Sequence, residues 1–86
     1  MTKKNTNGSH KFYRADTEKL EAAITSTAKY QTEIASAGGL SRDTLRKAVE
    51  GERVTKAKAS GICKGLNLCG CSPKALLEVI FPFGED

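Results

Sequence analysis

Within the stretch SRDTLRKAVE the chain brings together Ser41, Arg42, Asp43, Arg46 and Lys47. An arginine guanidinium presents a fork of donors that matches O6 and N7 of guanine, and a carboxylate accepts from the N4 amino group of cytosine. Arg53, Lys56 and Lys58 follow within a few residues. Together with the Ser41 hydroxyl they suit contacts to phosphate, which position a nucleic acid without reading it. Gln31 stands where a helix start would let its amide and the free backbone N–H groups hold a phosphate. A separate basic group, Lys3, Lys4 and Lys11, lies in MTKKNTNGSHK. Each of these residues has a plainer reading as a solvated surface side chain. Asp43 also fits the positive end of a helix dipole.

Other chemistries find little support. The cysteines, Cys63, Cys69 and Cys71, have the spacing C-x5-C-x-C, which matches no common zinc pattern. The single histidine, His10, is far from them in sequence. An odd cysteine count argues against a disulfide framework, so structural thiols are expected. No nucleophile–base set, no pair of carboxylates on one helix face and no phosphate loop is present. The expectation is therefore a protein that is not an enzyme and needs no metal or cofactor.

The chain has 86 residues and a net charge of +4. At this size a single domain is expected, and about two-thirds of the unfolded surface can be buried. No apolar run approaches the roughly 20 residues of a membrane span. The basic start is not followed by an apolar segment, so a cytoplasmic location without membrane contact is expected. Charge is unevenly spread. Residues 1–14 and 42–64 are each net basic, while residues 15–41 and 65–86 are each mildly acidic. Two basic blocks point to a polyanionic partner.

The elements that must position these residues read as helices. Residues 1–14 lack an apolar period and are rich in turn formers, which predicts a flexible basic arm before a domain over 15–86. Phe12 and Tyr13 are where that arm begins to dock. A first helix starts at Asp16 or Thr17, with Leu20, Ala23, Ile24 and Thr27 as one inward stripe, and fades near Ala28. A second runs from Gln31 to Ala37, with Ile34 and Ala35 inward. Gly38 and Gly39 end it, and one of them supplies a left-handed residue. Ser41 caps a third helix with Leu45, Ala48 and Val49 inside, and Gly51 stops it near Glu50. Thr55 caps a fourth, with Ala59, Ile62, Cys63 and Leu66 inside and Gly61 and Gly65 allowing close packing. Ser72-Pro73 predicts the start of a fifth, with Leu76, Leu77 and Ile80 apolar, ended before Pro82. The fold class expected is all-α, a compact bundle of about five short helices; only the tail leaves room for short strand pairing.

The stretch QTEIASAGGLSRDTLRKAVEGERVTKAKASGICKGLNL resembles the helix-turn-helix family of the phage lambda repressor and Cro proteins, also called XRE-like. The resemblance covers roughly residues 17–80. Its marks are Gln31 opening the first motif helix, the small Ala35 at the helix crossing, Gly39 in the turn, Leu40 as the plug, Ser41 as cap, Leu45 in the core and Gly51 as the stop. Thr55 to Leu66 and SPKALLE are similar to the fourth and fifth helices. Two departures stand out. Val49 replaces a common glutamate, and Cys69-Gly70-Cys71 looks like a short insertion. The resemblance implies a sequence-specific regulator, a small repressor of phage, plasmid or mobile-element type that binds a palindromic operator in double-stranded DNA as a homodimer. One such module reads few base pairs, which favours a two-fold site. The alternative, from a different class, is an antitoxin-type interaction module that neutralises a toxin protein and autoregulates its operon, with Phe81 and Phe83 as candidate partner-facing residues.

Overall fold

The computed structural model describes residues 11–71 and 74–85. Four helices form where the apolar spacing predicts them: α1 (Thr17–Thr27), α2 (Gln31–Ala37), α3 (Arg42–Val49) and α4 (Lys56–Leu68). A fifth, α5, spans Leu77–Ile80. Three of the helices start on a side-chain oxygen that satisfies an otherwise orphaned amide. Asp16 Oδ1 accepts from Lys19 N, Ser41 Oγ from Thr44 N and Thr55 Oγ1 from Lys58 N, each at 3.3 Å. Helix α2 starts differently. Tyr30 offers no short polar cap, and its N–H donates instead to Glu33 Oε1 at 3.2 Å.

Helices α2, α3 and α4 end on one plan. A glycine with positive φ follows the cap residue, and the next residue's N–H reaches back to the carbonyl five positions earlier. In α2 these bonds are Gly39 N to Ser36 O at 3.0 Å and Leu40 N to Ala35 O at 2.8 Å. The left-handed residue of the turn is thus Gly39 (φ 75°) and not Gly38. Helix α1 ends instead on Ala28, a left-handed non-glycine residue at φ 57°. The buried Thr27 hydroxyl supports that end by donating to Ile24 O and accepting from Lys29 N.

The fold is not purely helical. A three-stranded antiparallel sheet joins β1 (Phe12–Arg14), β2 (Val54–Thr55) and β3 (Phe83–Glu85), in the order β2-β1-β3. Phe12 pairs with Thr55 and Glu85, and Tyr13 with Val54 and Gly84. This corrects two expectations, the all-α class and an arm reaching residue 14. Residues 12–14 are the central strand, and Tyr13 is 4% exposed. Lys3 and Lys4 lie outside the described residues, while Lys11 is exposed at the edge of β1.

The start of the fifth helix is also corrected. Ser72 and Pro73 lie outside the described residues, and residues 74–76 are not helical. The Asn67 amide explains this, because it captures both backbone groups of Ala75: Nδ2 donates to Ala75 O at 2.9 Å and Oδ1 accepts from Ala75 N at 2.6 Å. With both groups bonded to Asn67, the Ala75 backbone is satisfied without a helix. Leu76 consequently points to solvent, 44% exposed.

The core is continuous. Leu20, Ile34, Leu45, Ile62, Leu66 and Phe81 are its largest fully buried side chains, drawn from α1 to α4 and from the end of α5. Burial of each contributes about 1.5–3 kcal/mol. Helices α2 and α4 cross most closely. A Cβ on Gly65 would strike the Ile34 carbonyl, and one on Gly61 would lie 3.2 Å from both Leu40 methyls. Leu40, partly buried, plugs the turn that brings α3 onto this pair.

Candidate functional site

Helix α3 has one face in the core and one in solvent. Leu45 and Ala48 are fully buried, which fixes the helix roll. Arg42, Asp43, Arg46 and Lys47 then necessarily point outward, and all four are exposed. They are not equivalent. Arg46 Nε and Nη2 donate to Asp43 Oδ1 at 3.2 and 2.6 Å, and Nη1 donates to both Glu50 oxygens at 2.9 and 3.0 Å. Lys47 Nζ is 3.6 Å from Asp43 Oδ2. Arg42 makes no ion pair among the described residues. Of the three α3 cations it alone has its charge uncompensated within the helix.

These contacts shift the ionisation of both partners. The hydrogen bond from Arg46 holds the Asp43 carboxyl below its ordinary value, helped by the charges of Arg46 and Lys47 and opposed by desolvation. The hydrogen bonds to Asp43 and Glu50 raise the Arg46 guanidinium above its own. Asp43 is therefore a buttress for Arg46. The expectation of Asp43 as a free acceptor is not the arrangement present.

Two concavities flank this face. In one, of about 350 Å³, Gln31 and Arg42 are neighbours, together with Tyr30 and Thr32. In the other, of about 210 Å³, Lys47, Arg53 and Lys58 converge with Thr44, Thr55 and Phe12. Arg53 is less free than its sequence context implied. Its guanidinium lies over the Phe12 ring, 4.7 Å from Cζ to the centroid, and is 4.0 Å from Glu85. Stacking of this kind fixes a guanidinium without neutralising it. Lys56, the first residue of α4, is exposed and lines neither concavity. Ser41 is committed to its cap: its hydroxyl accepts from Thr44 N and lies 3.0 Å from Thr44 Oγ1.

Sequence reasoning missed two residues here. Tyr30, which carries no sequence expectation of its own, is 79% exposed beside Gln31. An aromatic with nothing to bury it, next to a helix start, was the available signal. Phe12 was placed in the arm, and its part beneath Arg53 depends on a strand pairing that its own neighbours do not encode.

The thiols are separate from this face. Cys63 is buried on α4, and burial first, then the proximity of Cys71, pushes its thiol up to about 11. Cys71 Sγ accepts from Ser26 Oγ at 3.6 Å. Among the described residues no group of three His, Cys, Asp or Glu side chains is placed to hold a metal ion, and no helix is long and apolar enough to cross a membrane. Compared with known proteins, the chain matches no family model, no curated protein and no solved structure.

Proposed function

We propose that the chain is a sequence-specific regulator that binds double-stranded DNA, with α2, the Gly39 turn and α3 acting as a helix-turn-helix. Helix α3 would enter the major groove, as second helices of such motifs do. One observation carries this reading. A helix capped by Ser41 and rolled by the burial of Leu45 and Ala48 presents Arg42, Asp43, Arg46 and Lys47 on its outer face. The two concavities beside it are lined by residues suited to phosphate, Gln31 with Arg42 and Lys47 with Arg53 and Lys58. Arg42 and Arg46 are the base readers, and Lys47, Arg53, Lys56 and Gln31 hold the backbone. Lys3, Lys4 and Lys11 add affinity without sequence.

Exposed apolar side chains also favour a protein contact. Leu76 and Val79 near α5 and Phe83 on the edge strand β3 are 44%, 39% and 55% exposed. In the DNA reading their partner is a second copy, which a two-fold operator needs. In the antitoxin alternative it is a toxin protein. Phe81, the other candidate for that contact, is instead core at 1% exposed.

Selection of bound sequences from a random duplex pool tests the proposal. Enrichment of a two-fold site by the purified chain is the expected outcome. Recovery of no preferred sequence at low salt would overturn it.

A further inference from the structure

Arg46 is engaged on two sides at once. A guanidinium has five N–H donors. Nε–H and one Nη2–H are taken by Asp43, and Nη1 is held by both oxygens of Glu50. One Nη2–H remains, and if a single Glu50 bond opens, an Nη1–H joins it. Those two form the parallel pair that meets O6 and N7 of one guanine. Asp43 thus fixes the plane of the group from one edge, while Glu50 guards the end that a ligand must occupy.

The trio Asp43, Arg46 and Glu50 carries one positive and two negative charges. Lys47, 3.6 Å from Asp43 Oδ2, brings the wider cluster to neutrality while leaving Glu50 without a second cation among the described residues. A phosphate approaching Arg46 meets both carboxylates as like charges. A guanine edge offers two acceptors and no net charge, so it escapes that repulsion. We infer, resting on the reading of α3 as the base-contacting helix, that Asp43 and Glu50 are positioning residues that set specificity: they turn Arg46 from a general phosphate binder into a reader of a two-acceptor base edge. The pairing holds Asp43 ionised, so the repulsion persists at neutral pH.

The test compares duplex selected by the wild-type chain with random duplex of equal length. Glu50→Gln and Asp43→Asn each remove one negative charge at an exposed position. Random-duplex affinity is expected to rise on the order of threefold, and the selected-to-random ratio to fall roughly tenfold as Arg46 loses its fixed plane. Glu52→Gln is the control, because Glu52 is exposed on the same segment and does not bond Arg46. It should strengthen both duplexes alike and leave the ratio unchanged. In an Arg46→Ala background, Glu50→Gln should no longer alter the ratio. A wild type that discriminates, with ratios unchanged in both variants, would overturn this inference alone. An equal fall with Glu52→Gln would overturn it too. A wild type that selects no sequence would overturn the underlying DNA reading, a result distinct from the other two.

Discussion

Gly38 and Gly61 face each other across the α2–α4 crossing with no room for a side chain: a Cβ on Gly61 would sit 3.1 Å from the Gly38 carbonyl oxygen, and one on Gly38 would collide with the Gly61 carbonyl. Gly39, one residue on, has open space but a left-handed backbone. The two glycines are needed for different reasons, and substitution separates them. Gly38→Ala should cost about 1–3 kcal/mol or more from overpacking against rigid backbone. Gly39→Ala should cost about 1–2 kcal/mol from its φ alone, and Gly39→Val more. Urea denaturation of the three variants checks the order. A Gly38→Ala protein as stable as wild type would show that the crossing is looser than described.

Alanine at Arg42 or Lys47 should affect binding and not folding. Arg42→Ala should weaken binding to selected duplex by about 1–3 kcal/mol and relax preference at one position. Lys47→Ala, in the concavity with Arg53 and Lys58, should weaken all duplexes alike and make binding less salt-dependent. Unfolding free energies should stay within about 0.5 kcal/mol of wild type, because both side chains are exposed. Titrations at several salt concentrations, paired with thermal melts, distinguish these outcomes.

Truncation at two points separates charge from structure. Removing residues 1–11 deletes Lys3, Lys4 and Lys11, and the slope of log K against log salt should fall by roughly 2–3 with the selected-to-random ratio kept. Removing residues 1–14 also deletes the central strand and buried Tyr13. That truncation should lose stability on the scale of a deleted core aromatic, about 3–5 kcal/mol. Equal stability of the two truncations would show that β1 contributes nothing to the fold.

Ala28 holds a backbone conformation that L residues avoid. Ala28→Gly should relieve that strain and stabilise the chain by about 0.5–1 kcal/mol, after the added entropy of glycine in the unfolded state. A calorimetric melting temperature raised by a few degrees is the expected reading, and a lowered one would argue against a left-handed end to α1.

Cys63 should be the slowest of the three cysteines to react with a thiol reagent at neutral pH, since its thiol is raised to about 11 from 9.0. The same shift makes stability depend on pH. Its contribution is present in full below about 9 and is lost as pH rises from there through about 11, because the unfolded chain gives up the proton first. Unfolding of wild type and Cys63→Ala compared across that window isolates the effect. A slope identical in both proteins would assign the alkaline loss to other groups.

Helix positions are legible from sequence because their signals are local. Ser41 and Thr55 announce starts, Gly39 and Gly51 announce ends, and the stripe Ala59, Ile62, Cys63, Leu66 states which face is buried. The sheet is not legible for the opposite reason. A strand of three residues, or of two, is too short to show alternation, and its pairing depends on distant partners. The Ser72-Pro73 signal fails as a guide to α5 because Asn67, several residues upstream, seizes the backbone of Ala75. At the candidate site the exposed basic set follows from helix periodicity, but the clamp on Arg46 depends on side-chain rotamers that spacing only permits. The link from Arg53 to Phe12 needs the sheet and was hidden with it.

Strand β1 pairs on one side with residues just before α4 and on the other with residues beyond α5. Its Arg14–Phe83 pairing closes a loop that contains every helix described, while each helix closes contacts a few residues apart. The closure entropy of that loop is repaid only once the helices have already shortened the path between its ends. Loop closure thus predicts an order of assembly, in which the helical core gathers first and the sheet fastens afterwards, as a clasp on a structure already present. A chain emerging vectorially from synthesis would hold Tyr13 without its second neighbour until Gly84 had been made, so on this ordering the clasp is the last part to close.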